Sequence, residues 1–326
     1  MTMLELVLVM FLLALVLGGG VGLFAALDLG KRQAAGLVRN VLRSAQNTAI
    51  ASSAPARVRI DKKTGTCVAE SMVAVGTYHF EGGSTAGYGP VGKSEPEWFD
   101  ERGFVGGCFH PAGKRGATLE IPIAEDPAFD LRRGFAFDLA LLRESSAGGR
   151  ILSIGSLDPY TVALDLGPNG DLRATFRARV GEAESERAGG KVVVHTAAEL
   201  VPVGRWVRVR VQYDRRAFQI LLDGARVGSE PESSYVWDVD GPLTLSDRVY
   251  PFPGKLDALV IHAMVAGEPA RLPETVQFTA DTSEVVEFAP GGALDRRVHK
   301  DPPRIGLEYR DGARTFITIG TYGTVE

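Results

Sequence analysis

Apolar residues run unbroken from Leu6 to Leu27, and the pattern then changes to one apolar position in every three or four. Leu37, Val38, Val41, Leu42, Ala45, Ala49 and Ile50 recur at that spacing, with Arg39, Asn40, Arg43, Gln46 and Asn47 between them. This is the stripe of an amphipathic helix. Ser52-Ser53-Ala54-Pro55 predicts its stop, because a residue before proline is steered away from helical angles. Read as one element over 1–53, the helix is about 80 Å long at 1.5 Å per residue. Its apolar part is long enough to span a bilayer, which takes about 20 such residues. Glu5 sits at the start of that run, and an acid in a membrane span marks a functional position. Gly18, Gly19, Gly20 and Gly22 interrupt it, each at a cost of about 1 kcal/mol against alanine.

Beyond Pro55 the periodicity shortens to two. Ala56–Asp61 alternates apolar and charged residues, Lys62-Lys63-Thr64-Gly65 reads as a turn, and Thr66–Ala69 as the returning strand. From about Gly76 to Ala270 many short alternating runs follow, among them 134–141, 160–166, 171–176, 206–213, 218–222 and 256–261. Pro168-Asn169-Gly170-Asp171 and Asp223-Gly224 supply hairpin turns between them. Regular short strands of this kind predict a two-sheet sandwich. After Pro273 the strands 285–288, 304–309 and 315–319 close the chain.

The first residues, Met1-Thr2-Met3-Leu4-Glu5-Leu6, resemble the amino terminus of type IV pilins and type II secretion pseudopilins in their mature, leader-cleaved form. The run 45–61 resembles the H-type minor pseudopilins, and Val285–Gly292 and 315–326 resemble the closing strands of a pilin head. The resemblance implies an α+β fold: a long amino-terminal helix (1–53), a split β head (54–75 and 274–326) and an all-β jelly-roll sandwich (76–273) inserted into it. It also implies processing by a prepilin peptidase, N-methylation at Met1, and passage through the inner membrane into a surface filament or periplasmic pseudopilus. In that filament Glu5 pairs with a neighbouring subunit's amino terminus, since a buried ion is tolerable only when paired. Gly18, Gly19, Gly20 and Gly22 let the helix loosen on leaving lipid. The partners expected are further copies of the chain or other pilins, and the assembly machinery.

Within the sandwich, Gly204–Asp214, Phe218–Gly224 and Phe252-Pro253-Gly254-Lys255-Leu256-Asp257 resemble laminin-G and concanavalin-A-like domains, whose usual work is binding glycans or proteins. Tyr88, Trp98, Tyr235, Trp237 and Tyr250 are candidates to stack on a sugar, because a ring offers a flat apolar face with a polar tip; core or interface packing is the bland alternative. Trp206 falls at a core position of the pattern. The fold sometimes binds calcium through loop oxygens, which makes Asp158, Asp165, Asp171 and Asp247 candidates, with solvated turn acids as the alternative. No strand carries the paired acids of a glycosidase. The histidines show no metal spacing, and no Ser/His/Asp order stands out, so no enzyme is expected.

Composition adds little pull toward a partner. The 326 residues carry 36 Lys and Arg against 40 Asp and Glu, a net charge of −4, which gives no general attraction to nucleic acid. Cys67 and Cys108 are candidates for a disulfide worth about 3–4 kcal/mol, with two buried free thiols as the alternative. The function expected is a filament subunit displaying a lectin-like module. The alternatives are a membrane-anchored binding protein that never polymerises and a polysaccharide-active enzyme.

Overall fold

A computed structural model of the chain describes Met10 and residues 29–52, 54–81, 87–155, 160–179 and 188–326. These divide into two compact units, with breaks between Ser71 and Met72 and between Val265 and Ala266.

The first unit holds the helix Leu29–Ser52. Its apolar stripe, Ala34, Val38, Leu42, Ala45 and Ala49, is buried in a core with Val58, Ile60, Val286, Phe288 and Ile305 from the surrounding strands. Ala56–Asp61 pairs antiparallel with the start of Thr66–Tyr78 on one side and with Val285–Phe288 on the other. Val276–Phe278, Arg304–Tyr309 and Arg314–Thr318 form a separate three-stranded sheet. The Gln46 amide donates to the Gly292 carbonyl at 3.0 Å, tying the helix to the turn after Phe288. Arg57 Nε donates to Glu70 Oε2 at 2.7 Å between two buried side chains.

The second unit is a two-sheet antiparallel β-sandwich. One sheet, of twelve strands in all, carries a five-stranded row, Ala225–Pro231, Ala217–Leu222, Trp206–Tyr213, Phe135–Arg143 and Gly254–Ala266 in spatial order. The other carries a six-stranded row, Ala188–His195, Leu172–Arg179, Val162–Leu166, Gly149–Ile154, Leu243–Leu245 and Leu119–Ile121, and Tyr235–Val236 pairs with Leu172–Arg179 as its seventh strand. Alternate residues of both sheets meet in one core, where Phe176 lies 4.5 Å from Tyr213 and 6.2 Å from Phe135 between ring centres. Gly254 is required by close packing, since a Cβ there would run into the Leu142 carbonyl. Asp257 closes the adjacent loop: its Oδ2 accepts from the amides of Phe104 at 2.8 Å and Val105 at 2.9 Å.

Three expectations are corrected. The α+β architecture built on a long pilin helix and a small sheet gives way to a mostly β one, with 46% of the described residues in strands against 12% helical. The described helix has 24 residues and buries the amphipathic stripe expected over 37–50 against its own unit, while the apolar run 6–27, apart from Met10, lies outside the described residues. The inner-membrane stage is corrected as well: no helix among the described residues is long and apolar enough to cross a membrane. The disulfide is not formed either. Cys67 and Cys108 are both free and buried, and their thiols face the carbonyls of Ala270 at 3.7 Å and Arg102 at 3.5 Å respectively. Met1, Glu5, Gly18, Gly19, Gly20 and Gly22 lie outside the described residues.

Candidate functional site

The outer face of the six-stranded row is organised around Arg150. In the strand Val162–Leu166, Val162, Leu164 and Leu166 enter the core, so Ala163 and Asp165 point outward. The register sets Arg150 opposite Asp165 and Ser153 opposite Ala163, with Thr175 on the far side of Ala163. Arg150 Nε donates to Asp165 Oδ1 at 2.8 Å, and its guanidinium carbon lies 4.4 Å from the centre of the Tyr160 ring. Ser153, Ala163 and Thr175 are only 2%, 3% and 3% exposed although they face away from the core.

A turn completes this patch. Asp247 Oδ1 accepts from the amides of Val249 at 2.7 Å and Tyr250 at 2.8 Å, while its Oδ2 lies 4.0 Å from Arg150 Nη1. The Tyr250 carbonyl accepts from the Arg150 amide at 2.8 Å, and its hydroxyl donates to the Leu166 carbonyl at 3.4 Å. Tyr250 remains 44% exposed. Burial is the largest single influence and works against the Arg150 charge, but the bond to Asp165 and the charges of Asp165, Tyr160 and Asp247 together outweigh it and raise the guanidinium's pKa. Burial, followed by the Asp165 charge, pushes the Tyr250 phenol upward. A second stack stands further along the same face: the Arg177 guanidinium carbon is 3.8 Å from the Trp237 ring centre. The Trp237 amide donates to the Arg177 carbonyl at 2.8 Å, and buried Val236 anchors the segment from the core side.

The candidate aromatics are thus divided. Tyr250 and Trp237 belong to this face. Tyr235 is beside it, covered by the Arg215 guanidinium at 3.7 Å. Trp98 packs partly on the core under Lys114, and Tyr88 is 67% exposed on the short strand Gly87–Tyr88 that pairs with Thr77 and Tyr78. Trp206 departs from its expected core position: Val207, Val209, Val211 and Tyr213 point inward, which leaves Trp206 half-buried, edge-on to Phe104 at 5.8 Å. Of the calcium candidates, Asp158 lies outside the described residues, Asp171 packs against Gly167, and Asp165 and Asp247 both face the Arg150 guanidinium. Among the described residues no group of three or more His, Cys, Asp or Glu side chains could hold a metal ion.

Two clusters escaped the sequence reading. Arg150 and Tyr160 give no motif, because what joins them to Asp165 is register and a backbone bend. On the outer face of the five-stranded row, Arg210 Nη1 donates to Asp138 Oδ2 at 2.7 Å, and His262 Nε2 lies 3.0 Å from the same oxygen. Burial, and then the Arg210 charge, lower the His262 pKa to about 4 against the opposing pull of Asp138.

No protein-family model matches the chain, and no curated protein matches its sequence. Solved structures do resemble it in outline. Domain 4 of AbnA, an extracellular arabinanase from Geobacillus stearothermophilus solved with arabinotriose, aligns at 15% identity over 59% of this chain and 93% of that one, with a TM-score of 0.36. Caenorhabditis elegans galectin LEC-6 aligns at 12% identity over 47% of this chain and 93% of its own, with a TM-score of 0.29. Domains LG4-5 of the mouse laminin α1 chain align at 15% identity over 65% of this chain, which spans 46% of that chain's length, with a TM-score of 0.32. TM-scores of this size assign neither a ligand nor a fold to the chain.

Proposed function

We propose that residues 72–265 form a glycan-binding module, which lays a carbohydrate across the outer face of its six-stranded row. The observation that carries this reading is the pairing of two arginine–aromatic platforms on one sheet face, Arg150 with Tyr160 and Tyr250, and Arg177 with Trp237. Arg173 lies on the same strand as Arg177, about 13 Å from it at 3.3 Å per residue, room for more than one sugar ring. Aromatic faces take the apolar side of a sugar, while the arginine forks and the Asp165 and Asp247 carboxylates meet its hydroxyls. The likeness of 204–214, 218–224 and 252–257 to laminin-G and concanavalin-A-like segments supports the same reading.

The test is binding of the full chain to a panel of polysaccharides, followed by calorimetry with any ligand found. Tyr250→Ala and Trp237→Ala should each weaken binding about tenfold, as loss of an aromatic anchor does. Tyr88→Ala should leave it unchanged. Binding that depends on Tyr88 and not on Tyr250 or Trp237 would place the site elsewhere, and cleavage of a polysaccharide would make the module an enzyme.

A further inference from the structure

We infer that the glycan taken by this face is anionic, bearing carboxylate or sulfate groups; the inference rests on the glycan-binding reading above. In the strand Leu172–Arg179, Leu172, Ala174, Phe176 and Ala178 enter the core, so Arg173 and Arg177 point outward. The register then sets Arg177 directly opposite Lys191, and Arg173 opposite His195. Like charges facing each other across a strand pair destabilise it. The chain is acidic as a whole, with 36 basic against 40 acidic residues, so general composition does not put bases here.

Among the described residues none of Arg173, Arg177 and Lys191 forms an ion pair. Asp165, the cross-strand neighbour of Arg173, already has its Oδ1 committed to Arg150. The Trp237 ring, stacked 3.8 Å from the Arg177 guanidinium carbon, holds that fork in place before any ligand arrives. An anionic group between Arg177 and Lys191 would relieve their repulsion and accept charge-assisted hydrogen bonds from both, bidentate from the guanidinium. The sugar ring that carries it would then lie toward Trp237. The strand connection, 180–187, with Glu182, Glu184, Glu186 and Arg187, lies outside the described residues.

The experiment measures affinity of the full chain for polygalacturonate, dextran sulfate and uncharged dextran, in wild type, Lys191→Glu, Lys191→Ala and Lys300→Glu. Lys300 is exposed and belongs to the other unit, so its variant makes the same change in net charge without altering a residue of this face. The expected result is binding to at least one anionic polymer that weakens as salt approaches about 0.5 M. Lys191→Glu should lose about tenfold or more and Lys191→Ala less, because a reversed charge repels where a neutral one only fails to attract. Lys300→Glu should match wild type. The two anionic arms separate a carboxylate ligand from a sulfated one. Binding to neutral glycans alone would overturn the inference and leave the glycan-binding reading standing. Equal losses in Lys191→Glu and Lys300→Glu would reduce the effect to net charge and also overturn it. Failure of every glycan would remove both.

Discussion

The guanidinium of Arg150 stacks 4.4 Å from the centre of the Tyr160 ring while its Nε donates to Asp165 at 2.8 Å. A planar cation is thereby held between an aromatic face and a carboxylate on the outer side of the sheet, where the proposed ligand would touch it.

Arg150→Ala should lower stability by about 2 kcal/mol, the usual worth of a hydrogen bond to a charged group plus its lost packing. Arg150→Lys should recover less than half of that, because an ammonium has neither the fork nor the flat face. Urea unfolding of the two variants beside wild type measures both differences.

His262 makes stability depend on pH in a defined window. Its folded pKa, about 4, is below the ordinary 6.5, so between those values the unfolded chain binds the extra proton. Its contribution is therefore fully present above about pH 6.5 and is lost progressively as the pH falls toward 4. Thermal midpoints against pH should show this slope in wild type and a flatter profile in His262→Gln. An unchanged slope in the variant would assign the dependence to another group.

Both cysteines should be inert in the folded chain. Burial pushes the Cys67 thiol to about 11 and the Cys108 thiol to about 12, leaving almost no thiolate at neutral pH. A thiol reagent should react slowly with the native chain and rapidly with two groups per chain in urea. An absence of reactive thiols in non-reducing urea would indicate a disulfide.

Glu70→Ala should destabilise the first unit by about 3 kcal/mol or more. It removes the carboxylate that Arg57 and Arg59 share, and breaking a buried pair from one side costs more than the pair contributes. Glu70→Gln keeps an acceptor and should cost less. Thermal unfolding followed by circular dichroism compares them.

What the sequence made legible was local. Pro55 placed the end of a helix that does end at Ser52, and the alternation over 206–213 and 256–261 anticipated the strands Trp206–Tyr213 and Gly254–Ala266. Trp206 was misplaced because an aromatic in an apolar pattern reads as core, whereas strand parity turned it outward with Arg208 and Arg210. The amphipathic stripe over 37–50 was visible, because its spacing of three and four is a local property of one helix face, and it is the stripe buried in Leu29–Ser52. Asp165 and Asp247 drew attention as isolated acids. Their partner, Arg150, is distant along the chain and becomes their neighbour only through strand register and the Asp247–Tyr250 turn. Trp237 and Tyr250 could be chosen as exposed aromatics, yet nothing in the sequence separated them from Trp98, which packs on the core.

Hydrogen exchange of the full chain, free and saturated with a bound polysaccharide, tests the central claim most directly. Protection should rise in 149–154, 160–179 and 188–195 and in the segments carrying Trp237 and Tyr250, with the five-stranded row unchanged. Protection centred on the five-stranded row, or on the unit that contains the helix, would contradict it.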